Sequence, residues 1–136
     1  MNMPDMGKQI KVACAIIEHD GQILAAQRSA TMSLPLKWEF PGGKIEPGES
    51  PRVCLLREVR EELTVDIRIL TALPHSTHHY PDFTVTLYPF RCVIAAGEIV
   101  LQEHCAIRWL PPFEMLDLDW AEADLPVIED YLLRLR

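Results

Sequence analysis

The sequence contains no long hydrophobic run. None of its apolar stretches approaches the roughly 20 residues that a membrane-spanning helix needs. The N-terminal segment also lacks a basic region ahead of a cleavable apolar core, so its apolar residues are typical of a first strand rather than of a signal peptide. We therefore expect a cytoplasmic protein that makes no contact with a membrane.

Cysteine is scarce, and no two cysteines form a CxxC pair. Their wide spacing argues against a disulfide framework and against a zinc site built from cysteine. We expect a buried free thiol at each of the four positions, Cys14, Cys54, Cys92 and Cys105.

Positive charge is in deficit, because 13 Lys and Arg face 20 Asp and Glu, for a formal net charge of −7. Phosphate backbones are bound by clustered Lys and Arg, so we expect no nucleic acid polymer as a partner. A free nucleotide remains compatible with this charge, since divalent cations can lie between an acidic site and a polyphosphate.

The length and composition are those of one globular domain. A chain of 136 residues with 49% hydrophobic and 24% charged residues can bury a sizeable core, so we assign residues 1–136 to a single domain. Residue patterns predict strands at 9–17, 22–27, 38–40, 67–72, 83–94 and 106–109, and helices at 50–63 and 125–135. Strands outnumber helices, so the predicted fold class is α+β, a mixed sheet flanked by helices.

The helix at 50–63 has the strongest local signals. Ser50 suits the N-cap, and Pro51 suits the first helical position. Apolar residues then recur at spacings of three and four, which predicts one stripe that faces the core. The stripe consists of Val53, Leu56, Val59 and Leu63.

The same helix carries closely spaced carboxylates. Glu58, Glu61 and Glu62 lie at i, i+3 and i+4, so they share one arc of the helix and repel one another. A cation would remove that repulsion, and Mg²⁺ prefers carboxylate oxygens. Arg57 could hold these carboxylates and Glu49 in fixed rotamers through bidentate hydrogen bonds. On the helix alone, an ordinary solvated acidic face is an equally good interpretation.

The segment GKIEPGESPRVCLLREVREELTV, residues 43–65, resembles the signature of the Nudix hydrolase family. Thr64 stands where the family has glycine, at a turn whose positive φ is costly for a β-branched residue, so we expect a slightly altered helix exit. The resemblance implies an αβα sandwich in which this segment forms a loop, a helix and a loop against a mixed sheet. The matching positions are Gly43, Glu49, Arg57, Glu58, Val59, Glu61, Glu62 and Val65.

The resemblance also implies the catalytic and metal-binding residues. Glu58, Glu61 and Glu62 are expected to bind Mg²⁺, or Mn²⁺ in its place, together with the backbone carbonyl of Gly42. Glu103 matches a position where the family often places a further catalytic carboxylate. Either Glu62 or Glu103 would accept the proton of the attacking water, and the sequence leaves that choice open.

Outside the signature, the chain resembles the MutT-like and CTP pyrophosphohydrolase-like branch of the family. Arg28 falls where that branch places an arginine that contacts the nucleotide, with a surface arginine as the alternative. Lys44 is a candidate for the phosphates, with a solvated lysine as the alternative. The matching segments are WEFPGGK at 38–44, YPD at 80–82 and ADLPVI at 123–128.

Asp124 is the candidate for recognition of the base. An ionised carboxylate only accepts hydrogen bonds and so suits an exocyclic amine such as N4 of cytosine, although protonation in a dry pocket would reverse that argument. The alternative is a helix N-cap without a ligand role. Tyr80 and Phe83 are candidates for stacking on the base, or else ordinary sheet residues.

Together these features predict a Mg²⁺-dependent pyrophosphohydrolase that removes canonical or damaged nucleoside triphosphates and releases the monophosphate and pyrophosphate. We expect CTP, dCTP or a modified nucleotide as the substrate. The alternatives are 8-oxo-dGTP, another nucleoside diphosphate-X compound, and, from a different class, a non-catalytic nucleotide-binding module. The protein is expected to be a monomer or a homodimer.

Overall fold

A computed structural model describes residues 8–135, and its sheet is built around two long strands that run parallel to each other. The strands are β1 (Lys8–His19), β2 (Gln22–Gln27), β3 (Trp38–Glu39), β4 (Gly42–Lys44), β5 (Asp66–Ala72), β6 (Ser76–His79), β7 (Phe83–Ala96) and β8 (Ala106–Leu110). The helices are α1 (Pro51–Leu63) and α2 (Leu125–Arg134), with 3-10 helices at Pro112–Asp117 and Glu122–Asp124. The sequence patterns indicated all of these elements except β4, β6 and the 3-10 helices.

The sheet combines parallel and antiparallel strands, as predicted. β1 and β7 pair in parallel, from Lys8 opposite Phe83 to Ile17 opposite Cys92. The other strand pairs between residues 8 and 135 are antiparallel: β2 pairs with β1, β3 and β8, β4 with β1, and β5 and β6 with β7. Because β4 pairs with the middle of β1, the chain enters α1 from a fixed position on the sheet.

Helices cover both faces of the sheet. Successive side chains of β1 point to opposite faces, so Ala15 belongs to the cluster that contains Leu55 of α1, and Ile16 to the cluster that contains Ile128 of α2. All four of these side chains are fully buried. This αβα sandwich confirms the predicted fold class.

The buried face of α1 differs from the predicted stripe. Ser50 caps the helix as expected, since its hydroxyl accepts a hydrogen bond from the backbone N–H of Val53 at 3.1 Å. Val53 and Leu56, however, are 57% and 44% exposed, so their assignment to the core was wrong. The core-facing arc is rotated by about one position and includes a carboxylate. Its members are Cys54, Leu55, Val59, Glu62 and Leu63.

The end of α1 keeps the turn that glycine favours. Thr64 adopts a left-handed conformation (φ 61°, ψ 25°), and its N–H donates to the carbonyl of Arg60 at 3.0 Å. Its hydroxyl donates to the carbonyl of Glu98 at 2.8 Å, which compensates part of the strain. The expected distortion of the helix exit is therefore carried as a strained φ at Thr64 rather than as a different path of the chain.

The cysteines match the expectation of burial at three of four positions. Cys14, Cys54 and Cys92 are buried and free, as expected. Cys105 is free but exposed, so the expectation of burial was wrong there, because the segment before β8 lies at the surface. Between residues 8 and 135, none of the helices is long and apolar enough to cross a membrane.

Candidate active site

A cavity of about 290 Å³ lies against the β1–β7 face of the sheet, between β4 and the segment that leads into α2. It brings together every residue that the sequence proposed for substrate contact, although their contacts with a substrate stay predictions. Gly42 and Glu62, from the proposed metal site, line the same cavity. The candidate substrate residues in its lining are Arg28, Lys44, Tyr80, Phe83 and Asp124.

One side of the cavity is an apolar slot. The rings of Tyr80 and Phe83 stack with their centroids 4.8 Å apart and an interplanar angle of 28°. The hydroxyl of Tyr80 accepts a hydrogen bond from the backbone N–H of Ala123 at 3.0 Å, which ties the slot to the segment before α2. Val85 and Leu87 of β7 continue the apolar lining. A slot of this kind suits a planar base.

Asp124 supplies a buried acidic group to this cavity. It is only 6% exposed, and its carboxylate accepts a hydrogen bond from the backbone N–H of Phe40 at 2.9 Å. Asp124 occupies the N-cap position of α2, but its side chain makes no capping hydrogen bond. Burial, together with the nearby Glu39 carboxylate, raises the pKa of Asp124 to about 8.

Glu39 and His104 belong to this site but were missed in the sequence. One oxygen of Glu39 accepts a hydrogen bond from Arg28 at 2.9 Å, and the other lies 2.8 Å from Nε2 of His104. Arg28 also donates to the carbonyl and the hydroxyl of Ser33 at 2.5 and 2.9 Å. Its side chain is only 17% exposed, so a surface arginine does not describe it. The available signal was the position of Glu39 on the strand that leads into the glycine pair before α1.

The glycine pair at 42–43 allows α1 to approach the sheet closely. A Cβ at Gly42 would lie 1.9 Å from the carbonyl oxygen of Ala13, and a Cβ at Gly43 would lie 2.2 Å from Cδ of Glu58. Neither contact leaves room for a side chain. The N–H of Gly42 donates to Glu62 at 3.1 Å, which orients that carboxylate toward the cavity.

The glutamates of the proposed metal site crowd together. Burial raises the pKa of Glu58, and the nearby carboxylates of Glu61 and Glu103 raise it further. Burial raises the pKa of Glu62 to about 8, with additional effects from Glu39, Glu58 and Glu103. These mutual effects place Glu103, which comes from a distant segment, in the electrostatic field of the α1 carboxylates. A divalent cation would offset this concentration of negative charge.

Arg57 organises the carboxylates of α1. Its guanidinium makes a bidentate contact with Glu49, with both distances 2.9 Å, and donates to Glu58 at 2.7 Å. Hydrogen bonds from Arg57 lower the pKa of Glu49 to about 2. Glu61 is more open, with one oxygen 3.6 Å from the same guanidinium. This is the positioning that the sequence predicted for Arg57.

The donor set has the chemistry that Mg²⁺ prefers, since it consists of carboxylate oxygens and a backbone carbonyl. Glu58 is hydrogen-bonded to Arg57, and Glu62 to Gly42. Within the described range, no three His, Cys, Asp or Glu side chains already converge as they do around a metal ion. The residues that would hold the ion are Gly42, Glu58, Glu61, Glu62 and Glu103.

Comparison with known proteins identifies the family of this chain. Residues 7–131 match the NUDIX domain. The chain is 38% identical over 125 residues to CTP pyrophosphohydrolase of Escherichia coli (strain K12), covering 92% of this chain and 93% of that protein. It is 30% identical over 122 residues to 8-oxo-dGTP diphosphatase of the same strain, covering 89% and 95%. The solution structure of the E. coli ORF135 protein matches with a TM-score of 0.81 at 35% identity, covering 97% and 94%.

Proposed function

Because this chain belongs to the NUDIX family, and is thus a hydrolase of phosphoanhydride bonds in nucleoside triphosphates, we propose that it converts a cytosine nucleoside triphosphate, or a modified one, to the monophosphate and pyrophosphate. One observation carries the proposal. The cavity that contains Asp124 and the Tyr80–Phe83 slot also contains Gly42 and Glu62, so a base in the slot would lie beside the metal-binding carboxylates. Nucleotide pools of the cytoplasm would supply the substrate.

The NUDIX family typically depends on a divalent metal ion. Mg²⁺, or Mn²⁺ in its place, would lower the pKa of the attacking water and neutralise charge on the attacking and leaving oxygens. Arg57 fixes Glu49 and Glu58 in the rotamers that the site needs. Either Glu62 or Glu103 accepts the proton of the water. Lys44, exposed at the rim of the cavity, adds positive charge near the phosphates.

The protonation state of Asp124 decides which hydrogen-bonding groups of a base it can bind. With a pKa near 8, the carboxyl is mostly neutral at pH 7, so it both donates and accepts. Cytosine presents an amine donor at N4 beside an acceptor at N3, and a neutral carboxyl complements both groups. The oxygen that accepts from Phe40 retains a second lone pair for the amine. Cytosine therefore remains compatible with Asp124 in either protonation state.

A second candidate substrate is 8-oxo-dGTP. A neutral carboxyl resembles an amide in that it donates as well as accepts, which suits an oxidised guanine edge. The similarity to the 8-oxo-dGTP diphosphatase of E. coli supports this candidate too. Another nucleoside diphosphate-X compound is the remaining alternative within the hydrolase class.

A panel assay tests the proposal. Purified protein with Mg²⁺ is given CTP, dCTP, 5-methyl-dCTP, 8-oxo-dGTP, dGTP, dATP and a nucleotide sugar, and pyrophosphate or other phosphate products are measured. We expect the highest kcat/KM for a cytosine nucleotide. A preference for 8-oxo-dGTP would keep the chemistry and refute the choice of base, whereas cleavage of the nucleotide sugar alone would refute the triphosphate assignment.

Asp124→Asn is the matched variant for the panel. The amide keeps the acceptor for the Phe40 N–H but can never ionise, so it separates the effect of charge from the effect of shape. At pH 9 the wild-type carboxyl is ionised and only accepts, so we expect the ratio of kcat/KM for 8-oxo-dGTP over dCTP to be higher in the variant than in the wild type. An unchanged ratio at pH 9 would show that Asp124 does not read the base.

A further inference from the structure

His104 lies between the base cavity and the metal-binding carboxylates, in the segment that precedes β8. Its side chain has 0% exposure. Nε2 lies 2.8 Å from an oxygen of Glu39, which lines the cavity. Nδ1 lies 3.8 Å from an oxygen of Glu62 and has no hydrogen-bond partner. The imidazole of His104 therefore lies between the carboxylate of Glu39 and that of Glu62, which is a proposed catalytic residue.

The contact with Glu39 suits one tautomer of the ring. A carboxylate oxygen accepts hydrogen bonds, so the contact forms when Nε2 carries the imidazole proton and its N–H donates to Glu39. The other oxygen of Glu39 is held by Arg28 at 2.9 Å. With both oxygens held, Glu39 has one fixed orientation in the cavity that also contains Asp124. Without the imidazole, only the contact with Arg28 would hold the Glu39 carboxylate.

The position of Nδ1 relates the His104 ring to Glu62, a proposed catalytic carboxylate, as well as to the cavity. A buried polar atom without a partner is costly, and here it faces Glu62, whose other oxygen accepts from the N–H of Gly42 at 3.1 Å. The ring therefore fills the space that separates the Glu39 and Glu62 carboxylates. A smaller side chain would let these two acidic groups move relative to each other.

We propose that His104 is a positioning residue that sets base selection by fixing Glu39 and that couples this selection to the orientation of Glu62. The proposal rests on the proposed function, since it assumes that a base occupies the cavity. A buried histidine that merely supports the loop would stabilise the fold without changing the preference for one base over another.

Two substitutions of similar size separate these roles. His104→Gln can place an amide N–H near the position of Nε2 and so keep the donor for Glu39. His104→Asn can place an amide N–H only near the position of Nδ1, and it loses the contact with Glu39. His75→Gln is the matched control, because His75 is exposed and stacks on Tyr88 outside the cavity. Thermal melting of each variant checks that it folds.

The first readout is binding without divalent metal. Calorimetry in EDTA gives the Kd of CMP and of GMP for each protein, and the ratio of the GMP value to the CMP value measures base discrimination. We expect the same ratio of Kd values in the wild type, His104→Gln and His75→Gln. In His104→Asn the ratio should be about tenfold smaller, since a hydrogen bond to a charged acceptor is lost. Equal ratios in the folded His104→Gln and His104→Asn variants would overturn the proposal.

The second readout needs no substrate. Nitrogen-15 NMR of the imidazole in the wild type should show the proton of His104 on Nε2, and a proton on Nδ1 alone would overturn the proposal. A wild type that binds CMP with the expected discrimination but hydrolyses no triphosphate would refute the proposed function and leave the role of His104 supported. The kcat/KM ratio for dCTP over dGTP then extends the test, with His104→Asn lowering kcat as well as discrimination.

Discussion

The carboxylate of Asp124 accepts a hydrogen bond from the backbone N–H of Phe40 at 2.9 Å, across a separation of 84 positions in the chain. Phe40 lies two residues before Gly42, whose N–H donates to Glu62, and Asp124 directly precedes α2. A single buried contact therefore joins the proposed base cavity to the turn of the proposed metal site. The protonation state of the Asp124 carboxyl should therefore affect the stability of the protein as well as its choice of substrate.

Stability should fall as the pH rises, in part because of Asp124. Its pKa is raised from the ordinary value of 3.8 to about 8, so the folded state prefers the neutral acid. The stability that this group contributes is fully present below pH 3.8 and is lost as the pH rises toward 8, by at most about 1.4 kcal/mol per pH unit. Asp124→Asn should flatten this part of the profile and melt at a higher temperature than the wild type at pH 8.

Thermal melting of both proteins from pH 5 to pH 9 measures this difference. The raised pKa values of Glu58 and Glu62 give both proteins a common slope of the same sign, so only the difference between the two curves reports on Asp124. Parallel curves across the whole range would show that Asp124 is ionised in the folded protein at neutral pH.

Arg57→Lys should lower activity without unfolding the protein. Lysine keeps the positive charge but loses the fork that holds Glu49 through two nitrogens and Glu58 through a third. Loss of such a supporting contact typically costs about 10–100-fold in activity or metal affinity. We expect kcat/KM to fall in this range and half-maximal activity to need more Mg²⁺.

Arg60→Lys is the control for that experiment, because Arg60 lies on the same helix, is exposed, and pairs with Asp66 away from the cavity. Its kcat/KM and Mg²⁺ dependence should match those of the wild type. If Arg57→Lys matched it as well, the carboxylates would not need the guanidinium fork.

Thr64 gives a prediction about stability alone. Thr64→Ala keeps the left-handed strain but loses the hydrogen bond to Glu98, so it should destabilise the protein by about 1 kcal/mol. Thr64→Gly loses the same hydrogen bond but relieves about 1–2 kcal/mol of strain, part of which is offset by the entropy of a freer unfolded chain. Urea denaturation should therefore rank Thr64→Gly above Thr64→Ala. The reverse order would mean that the left-handed turn is not under strain.

Local spacing explains which parts of the site could be predicted. Glu58, Glu61 and Glu62 share an arc because helix geometry places residues three and four apart on one side, and Arg57 reaches them within the same helix. The partnership of Glu39 with His104 spans 65 positions and depends on how β8 packs beside β2, which no local pattern encodes. Comparison of the whole chain with a family signature pointed to Asp124, but its contact with Phe40 required the fold.

The wrong assignment of Val53 and Leu56 to the core also has a physical cause. Val53 and Leu56 fit the apolar spacing of a helix with Val59 and Leu63, but Leu55 fits that spacing equally well. The arc that packs against the sheet was therefore placed about one position too far along the helix circumference. Spacing alone locates the apolar face of a short helix only to within about one residue, which corresponds to roughly 100° of rotation.

Identification of the phosphorus products is the most direct test of the central claim. Wild-type protein and Glu61→Gln are each incubated with CTP and Mg²⁺, and the products are followed by phosphorus-31 NMR. We expect CMP and pyrophosphate in equal amounts, with turnover lower by orders of magnitude in a Glu61→Gln variant that melts like the wild type. Formation of CDP and orthophosphate, or near-normal turnover in Glu61→Gln, would contradict it.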